Sequence, residues 1–298
     1  MRDRLWPRGE LWRHADFLKL WGAQSISQFG TQVSALAIPL AAILVLDASA
    51  FQVASLTTVE FLPFLLFALP AGVWVDRLRR KPILVLADLG RAAALGSIPL
   101  AYALGALTIW QLYAAGFVTG TLTVFFDVSY QSYLPSLVGR EHLVEGNSKL
   151  EVSRSAAQVG GPGLGGLLVG LMTAPYAILV DAVSYLVSAA GLAAIRREEP
   201  APHRATDVPS MRRELWEGLR YVLGHPYWRA LSICVAVSNF FGTVAWSIVL
   251  VYAVRRLDLS AELIGLVLAL GSIGAVAGAL LAPPVGRLLG VGRTILVT

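Results

Sequence analysis

The chain has 298 residues, of which 56% are apolar and only 14% charged, with a net charge of +5 and a mean hydropathy of +0.66. Soluble domains carry about 25% charged residues, so this composition cannot cover a water-facing surface and excludes an ordinary cytosolic enzyme, a secreted disulfide scaffold and a disordered chain. One cysteine, Cys234, can form neither an internal disulfide nor a zinc site, and its place inside an apolar run predicts a small packing residue.

Long apolar runs recur along the chain, each near the roughly 20 residues that a helix needs to cross a bilayer. In order they are Phe17 to Leu46, Phe51 to Val75, Ile83 to Leu104, Leu107 to Leu134, Leu143 to Met172, Ala174 to Ile195, Trp228 to Val254 and Leu263 to Pro283. The first and fifth begin with polar residues, expected at the interface. A ninth run starts near Thr294. Runs of this length exceed what a membrane strand needs, so the expected class is all-α and integral to the membrane. The first run is too long for a signal-peptide core, and no cleavable leader is expected.

The basic residues give an orientation. All but four of the 24 lie before helix 1 or in the connections 2–3, 4–5, 6–7 and after helix 8; Arg91 and Arg154 are intrahelical, and only Arg255 and Arg256 fall at the other end. This asymmetry places the N-terminus in the cytoplasm. It also makes the net positive charge a topology signal, with no nucleic-acid partner expected. The longest connection, 196–227, opens with a proline-rich polar stretch expected to be a flexible linker. Met211, Leu215, Leu219 and Val222 then recur at helical spacing among charges, as in an amphipathic helix on the membrane surface.

Three segments recur 211 residues apart: HADFLKLW at His14 with HPYWRALS at His225, SQFGTQV at Ser27 with SNFFGTV at Ser238, and LDASA at Leu46 with LDLSA at Leu257. Helices 7 and 8 therefore repeat helices 1 and 2. The expected domains are a six-helix N-terminal half (1–195), the linker (196–227) and part of a second half (228–298). Two full halves would exceed this length, so a twelve-helix (6+6) architecture is expected of which about eight helices and the start of a ninth are present, the chain ending within an apolar run.

Two motifs narrow this. GVWVDRLRRKP at the end of helix 2 supplies Gly72, Asp76, Arg77, Arg80 and Lys81, and resembles motif A of the major facilitator superfamily, with Arg79 in place of its second glycine. Gly72 is expected to let two helix backbones approach closely. Asp76 can accept hydrogen bonds from a helix N-terminus, whose dipole favours an anion. The resemblance implies a conformational latch between halves at this loop. GGPGLGG in helix 5 supplies Gly161, Pro162, Gly165 and Gly166 and resembles motif C, which in that family accompanies antiport; close packing of small residues alone is the other reading. ADLGRA at Ala87, the segment from Glu145 to Gly166 and VDAVSYLVSA at Val180 are similar to the branch that contains the enterobactin exporter and macrolide-type efflux proteins.

Charges inside membrane helices are expensive and mark candidate sites. Asp88 with Arg91, and Glu151 with Arg154, are spaced three residues apart as intramembrane ion pairs. Glu60, Asp127 and Asp181 have no local basic partner, the setting a proton carrier needs. Asp127 is the preferred proton site, eight residues before Pro135 and about 12 Å along the helix from it, with Thr123, Tyr130 and Gln131 on its face. Polar stripes run along helix 1 (Gln24, Gln28, Thr31) and helix 7 (Asn239, Thr243, Trp246, beside Phe240 and Phe241). The resemblance implies that helices 1, 4 and 7 line the cargo cavity, and aromatic walls with few charges would suit a bulky amphipathic molecule.

Scattered histidines and the absence of a phosphate-cradling loop speak against an enzyme. The expectation is a multi-pass transporter of the bacterial cytoplasmic membrane. It would export a small organic molecule of the drug, macrolide or siderophore class by proton antiport. It would use the proton gradient in place of a cofactor, bind no metal, and work as a monomer with the lipid bilayer and the cargo as partners. An importer or symporter, and a non-transporting receptor or assembly protein on the same scaffold, are the alternatives.

Overall fold

The computed structural model describes residues 10–197, 199, 216, 220–272 and 274, with the side chains of Leu69, Val73, Asp76, Phe240 and Ser247 outside that description. A 3₁₀ turn (Glu10–Arg13) leads into α1 (Ala15–Leu44), α2 (Ala50–Arg77), α3 (Arg80–Ala103), α4 (Ile109–Val138), α5 (Leu143–Met172), α6 (Ala174–Ala193) and α7 (Pro226–Arg255). A shorter helix, α8 (Ala261–Ser272), follows. No strand occurs among the described residues.

The helix boundaries have local causes. His14 Nδ1 accepts the Phe17 N–H to start α1, and Ser49 with Gln52 forms a reciprocal capping box on α2. The α2–α3 turn, where Arg79 replaces a glycine, uses extended backbone at Leu78 and Arg79; it needs no positive φ, so the substitution leaves the turn intact. Helix 4 runs past Pro135, where the sequence predicted its end, to Gly139 at φ 81°. Proline removes a single hydrogen bond, and the helix closes only where glycine turns the chain.

Side by side, the first six helices run α5–α1–α6–α3–α4–α2. Helix α7 lies on α2, and α8 lies on α5 through Gly166 and Gly265. Two apolar cores divide the bundle lengthwise. The core at the basic end joins Phe17, Leu84, Phe126, Leu137 and Leu192, all from the first six helices. The core at the far end joins Leu40, Leu56, Ile98 and Ile178 to Leu250 of α7 and Ile264 of α8. The outer faces are apolar and exposed, as Phe61, Leu65, Leu86, Leu186 and most of α7 show. Such faces are stable against hydrocarbon, and among the described residues six helices are long and apolar enough to cross a membrane. Cys234 is exposed on α7 rather than packed inside, because α7 turns most of its surface away from the other described helices.

The 211-residue repeat appears in the hydrogen bonding. Ala48 N–H reaches Ala42 O (2.9 Å) as Leu259 N–H reaches Ala253 O (3.1 Å), and Val45 donates to Ala41 O as Arg256 donates to Tyr252 O. Asp47 and Asp258 both take positive φ, 48° and 52°, a conformation that a short polar side chain tolerates. Ser49 and Ser260 then cap α2 and α8 through Oγ.

The chain just after α6 is tied down at Arg196, Arg197 and Glu199, while the rest of the stretch expected to be a flexible linker, 200–210, lies outside the described residues. Asp16 accepts the Arg196 and Arg197 N–H groups. Glu199 accepts Arg80 N–H at 2.8 Å and Lys81 N–H at 3.1 Å, placing an anion on the N-terminus of α3 where the helix dipole favours it. Of the amphipathic stretch, Met211, Leu215 and Leu219 lie outside the described residues, while Val222 falls in a helical segment over 220–224.

Candidate functional site

The row of helices curves so that α1, α4 and α5 face one another with little contact between α4 and α1 or α5. The space between them is a cavity of about 710 Å³, within the size range of small-molecule sites. Helix α1 contributes Gln24, Gln28 and Thr31, α4 contributes Thr123, Asp127, Tyr130 and Gln131, and α5 contributes Asn147, Glu151 and Arg154. Arg91 from α3 and Tyr185 from α6 form its floor. Both stripes predicted on helices 1 and 4 thus meet in one space, and Asp127 is exposed within it.

The wall is knit by hydrogen bonds. Thr31 Oγ1 and Tyr185 OH lie 3.0 Å apart, Ser25 Oγ donates to Ser153 Oγ at 2.9 Å, and Ser27 Oγ donates to Gln24 Oε1 at 3.3 Å. Arg91 bonds Asp88 through Nη2, and its guanidinium carbon stands 4.2 Å from the Phe126 ring centroid and 4.3 Å from that of Tyr185. The Glu151–Arg154 contact is loose by comparison, 4.0 Å apart with both side chains more than half exposed. The cavity is therefore polar and charged, with aromatic rings at its floor, rather than the aromatic-walled space with few charges that the sequence predicted.

The other carboxylates stand elsewhere. Asp181 is buried between α6 and Gly30 of α1, and Ser184 Oγ donates to its Oδ1 at 3.0 Å. Glu60 lies in the groove that Gly116 and Gly120 leave on α4, outside the cavity. On helix 7, Asn239 and Thr243 line a separate space of about 360 Å³ against Thr57, Thr58 and Phe61 of α2; Trp246 is exposed. These three do not join the α1–α4–α5 cavity, because α7 rests on α2.

The motif C glycines divide between two neighbours. Side-chain atoms at Gly161 or Gly165 would meet Gln32 or Val33 of α1. A Cβ on Gly166 would stand 2.8 Å from Gly265 Cα, and one on Gly265 would stand 2.6 Å from Pro162 O. Backbone therefore meets backbone between α5 and α8, beyond the cavity on the side away from the basic end. At that far end Arg255 Nη2 donates to Asp47 Oδ1 (2.6 Å) and Ala48 O (2.8 Å).

Motif A behaves differently. Nothing among the described residues lies within 4 Å of where a Gly72 Cβ would stand, so the predicted close approach is not made there; no described helix covers that face. Arg77 is exposed, while Arg80 and Lys81 hold Glu199 and Ile195 O at the start of the linker. The Asp76 side chain lies outside the description. Sequence reasoning missed Asp16, Glu199 and Arg255; a lone carboxylate beside a helix end was the available signal for the first two. No group of three or more metal-ligating side chains occurs among the described residues.

Comparisons with known proteins agree with this architecture. The multidrug efflux pump Tap of Mycolicibacterium fortuitum is 26% identical over 200 residues, covering 65% of this chain and 49% of that protein. Macrolide efflux protein A of Streptococcus pyogenes is 24% identical over 203 residues, covering 68% and 50%. The chain spans about half the length of the curated relatives it matches. In fold it is similar to a bacterial homologue of the iron transporter ferroportin in an inward-facing state, with a TM-score of 0.68 at 19% identity, covering 96% of this chain and 71% of that one. The family model of the Major Facilitator Superfamily matches residues 20–298, and the chain, a multi-pass membrane protein, belongs to that superfamily.

Proposed function

We propose that this chain forms the first six-helix half, the linker and part of the second half of a secondary active transporter. In this reading it sits in the bacterial cytoplasmic membrane with its N-terminus in the cytoplasm. It exports a small organic molecule in exchange for protons. The observation that carries the reading is the cavity of about 710 Å³ lined by the basic-end halves of α1, α4 and α5, with Asp127 exposed in its wall. The efflux functions named for the Tap and macrolide relatives support the direction of transport. Asp127 takes a proton when the cavity faces outward and gives it up when the cavity faces the cytoplasm, where cargo enters. Gln24, Gln28, Tyr130 and Gln131 offer the cargo hydrogen bonds, and the motif C contact seals the outer side while this happens. Binding moves the equilibrium only through different affinities for the two states.

The test is pH-gradient-driven uptake of erythromycin, ethidium or a catecholate siderophore into inside-out vesicles containing the full-length protein. Uptake that an uncoupler abolishes, and that Asp127→Asn reduces by tenfold or more at unchanged protein level, is expected. Undiminished uncoupler-sensitive uptake by Asp127→Asn would remove that residue from the mechanism.

A further inference from the structure

Two carboxylates, Asp127 and Glu151, and two guanidiniums, Arg91 and Arg154, line the cavity, with Asp88 and Asp181 buried behind its wall. The two cations are not equivalent. Arg154 stands on α5 with its side chain 57% exposed, where water screens it. The Arg91 side chain is 5% exposed, fixed on Asp88 at one end and held between the Phe126 and Tyr185 rings. A guanidinium has five N–H donors in a rigid fork, and Asp88 uses only part of them. Nη1 makes a long 3.5 Å contact to Thr123 Oγ1, one helical turn before Asp127 on α4. Nε has no hydrogen-bond partner among the described residues. Arg91 and Asp127 both line the cavity, Asp127 four residues beyond Thr123 and on the same face of α4. Asp181 is enclosed with Ser184 behind Gly30 and does not line the cavity. The other ionisable groups facing the site are the phenols of Tyr130 and Tyr185.

We propose that Arg91 is the positioning residue of the Asp127 proton site: anchored on Asp88, its guanidinium turns its unused donors to Asp127 when that carboxyl gives up its proton. Asp88 is then the anchor that keeps a cation at this depth, and the pair serves the cavity as well as the packing of α3. An opposite charge within about 4–6 Å favours the ionised carboxylate, so Arg91 sets the pH at which the proton leaves. The proton passes from Asp127 to cavity water, and the negative charge left behind is met by Arg91, so no further co-reactant is needed.

This inference rests on the proton-antiport reading, and one experiment separates the two. The carboxylic C=O stretch of the purified full-length protein in lipid is followed against pH by difference infrared spectroscopy, with the proton as the only probe. The band lost in Asp127→Asn is assigned to Asp127. In the double variant Arg91→Gln with Asp88→Asn, which removes both charges and leaves neither unpaired, its midpoint is expected to move to higher pH by about one unit or more, a tenfold change in proton affinity. An unchanged midpoint overturns the role of Arg91 and leaves Asp127 as proton site. If no Asp127 band titrates between about pH 5 and 9, both ideas fail. Should the double variant not fold, Arg91→Lys decides instead: a lysine ammonium lacks the fork that serves two carboxylates, so a midpoint shift is expected there too, and its absence overturns the proposal.

Discussion

The two ends of α5 make opposite surfaces from one continuous helix. Over Asn147 to Gln158 it turns amide, hydroxyl and charged side chains to a cavity. Over Gly161 to Gly170 it presents glycines to α1 and α8, with backbone against backbone at Gly166 and Gly265. Long polar side chains need water or a ligand to satisfy them and hold a space open. Glycines remove the side-chain layer between helices and close it. If the protein rocks between two states as proposed, this contact is the one to release, since small residues leave little to desolvate. The apolar core shows the same division, shared with α7 and α8 at the far end and confined to the first six helices at the other.

The sharpest way to break this contrast is Gly166→Leu. Its Cβ would lie 2.8 Å from Gly265 Cα, where the obstacle is backbone that cannot rotate aside. Overpacking of this kind costs about 1–3 kcal/mol, so the closed arrangement should lose roughly ten- to a hundredfold in population. Alkylation of a cysteine placed in the α1–α2 turn should rise accordingly, while transport falls. Unchanged alkylation would mean that α5 and α8 do not form the seal.

A smaller effect is expected at the Arg255–Asp47 bridge. Exposed ion pairs contribute about 0.2–1 kcal/mol, and Arg255 keeps its bond to Ala48 O in any Asp47 variant. Asp47→Asn preserves a residue that accepts positive φ, so it removes charge without straining the turn. A shift of less than about fivefold toward the open form, read by the same alkylation assay, is expected. Asp258→Asn, at the repeat-related position and with no ion-pair partner among the described residues, should shift nothing.

Least of all is expected from Cys234→Ala. With Cys234 exposed on α7, thermal stability in detergent should stay within about 0.5 kcal/mol of the parent. A membrane-permeant maleimide should label the cysteine without denaturant. Slow labelling in lipid that becomes fast in detergent would show that hydrocarbon covers this face, and labelling slow in both would show that another helix does.

Much of the helical framework was legible from the residues. The first seven apolar runs coincide with α1 to α7, their ends differing mainly where one proline or one turn decides, as at Pro135 and Arg79; the eighth begins within α8, and its later part, like the ninth run near Thr294, lies outside the described residues. The 211-residue repeat, noticed as three short likenesses, reappears as matched turns at Asp47 and Asp258. The polar face of α4 was readable because Thr123, Asp127 and Tyr130 recur at helical spacing. Other features were not readable from local pattern. Asn239 and Thr243 form a stripe as regular as that on α1, yet α7 lies on α2 and carries them to a different space. Gly72 and Gly166 both stand in small-residue motifs, but only Gly166 meets a described neighbour. Glu199 is one acid in a run of charges until α3 brings its N-terminus to it.

The sequence by itself determined that this chain lives in a membrane, roughly where its first seven helices lie, and that its seventh and eighth helices repeat its first two. These follow from transfer of apolar side chains and from hydrogen bonds closed within a few residues, which are local terms. Tertiary structure alone decided which polar stripe faces the cavity, that Arg91 rather than Arg154 is the buried cation, and that glycines of α5 and α8 meet. Those outcomes depend on how helices rotate about their axes to fit one another, and that rotation is set by the whole packed assembly rather than by any one segment.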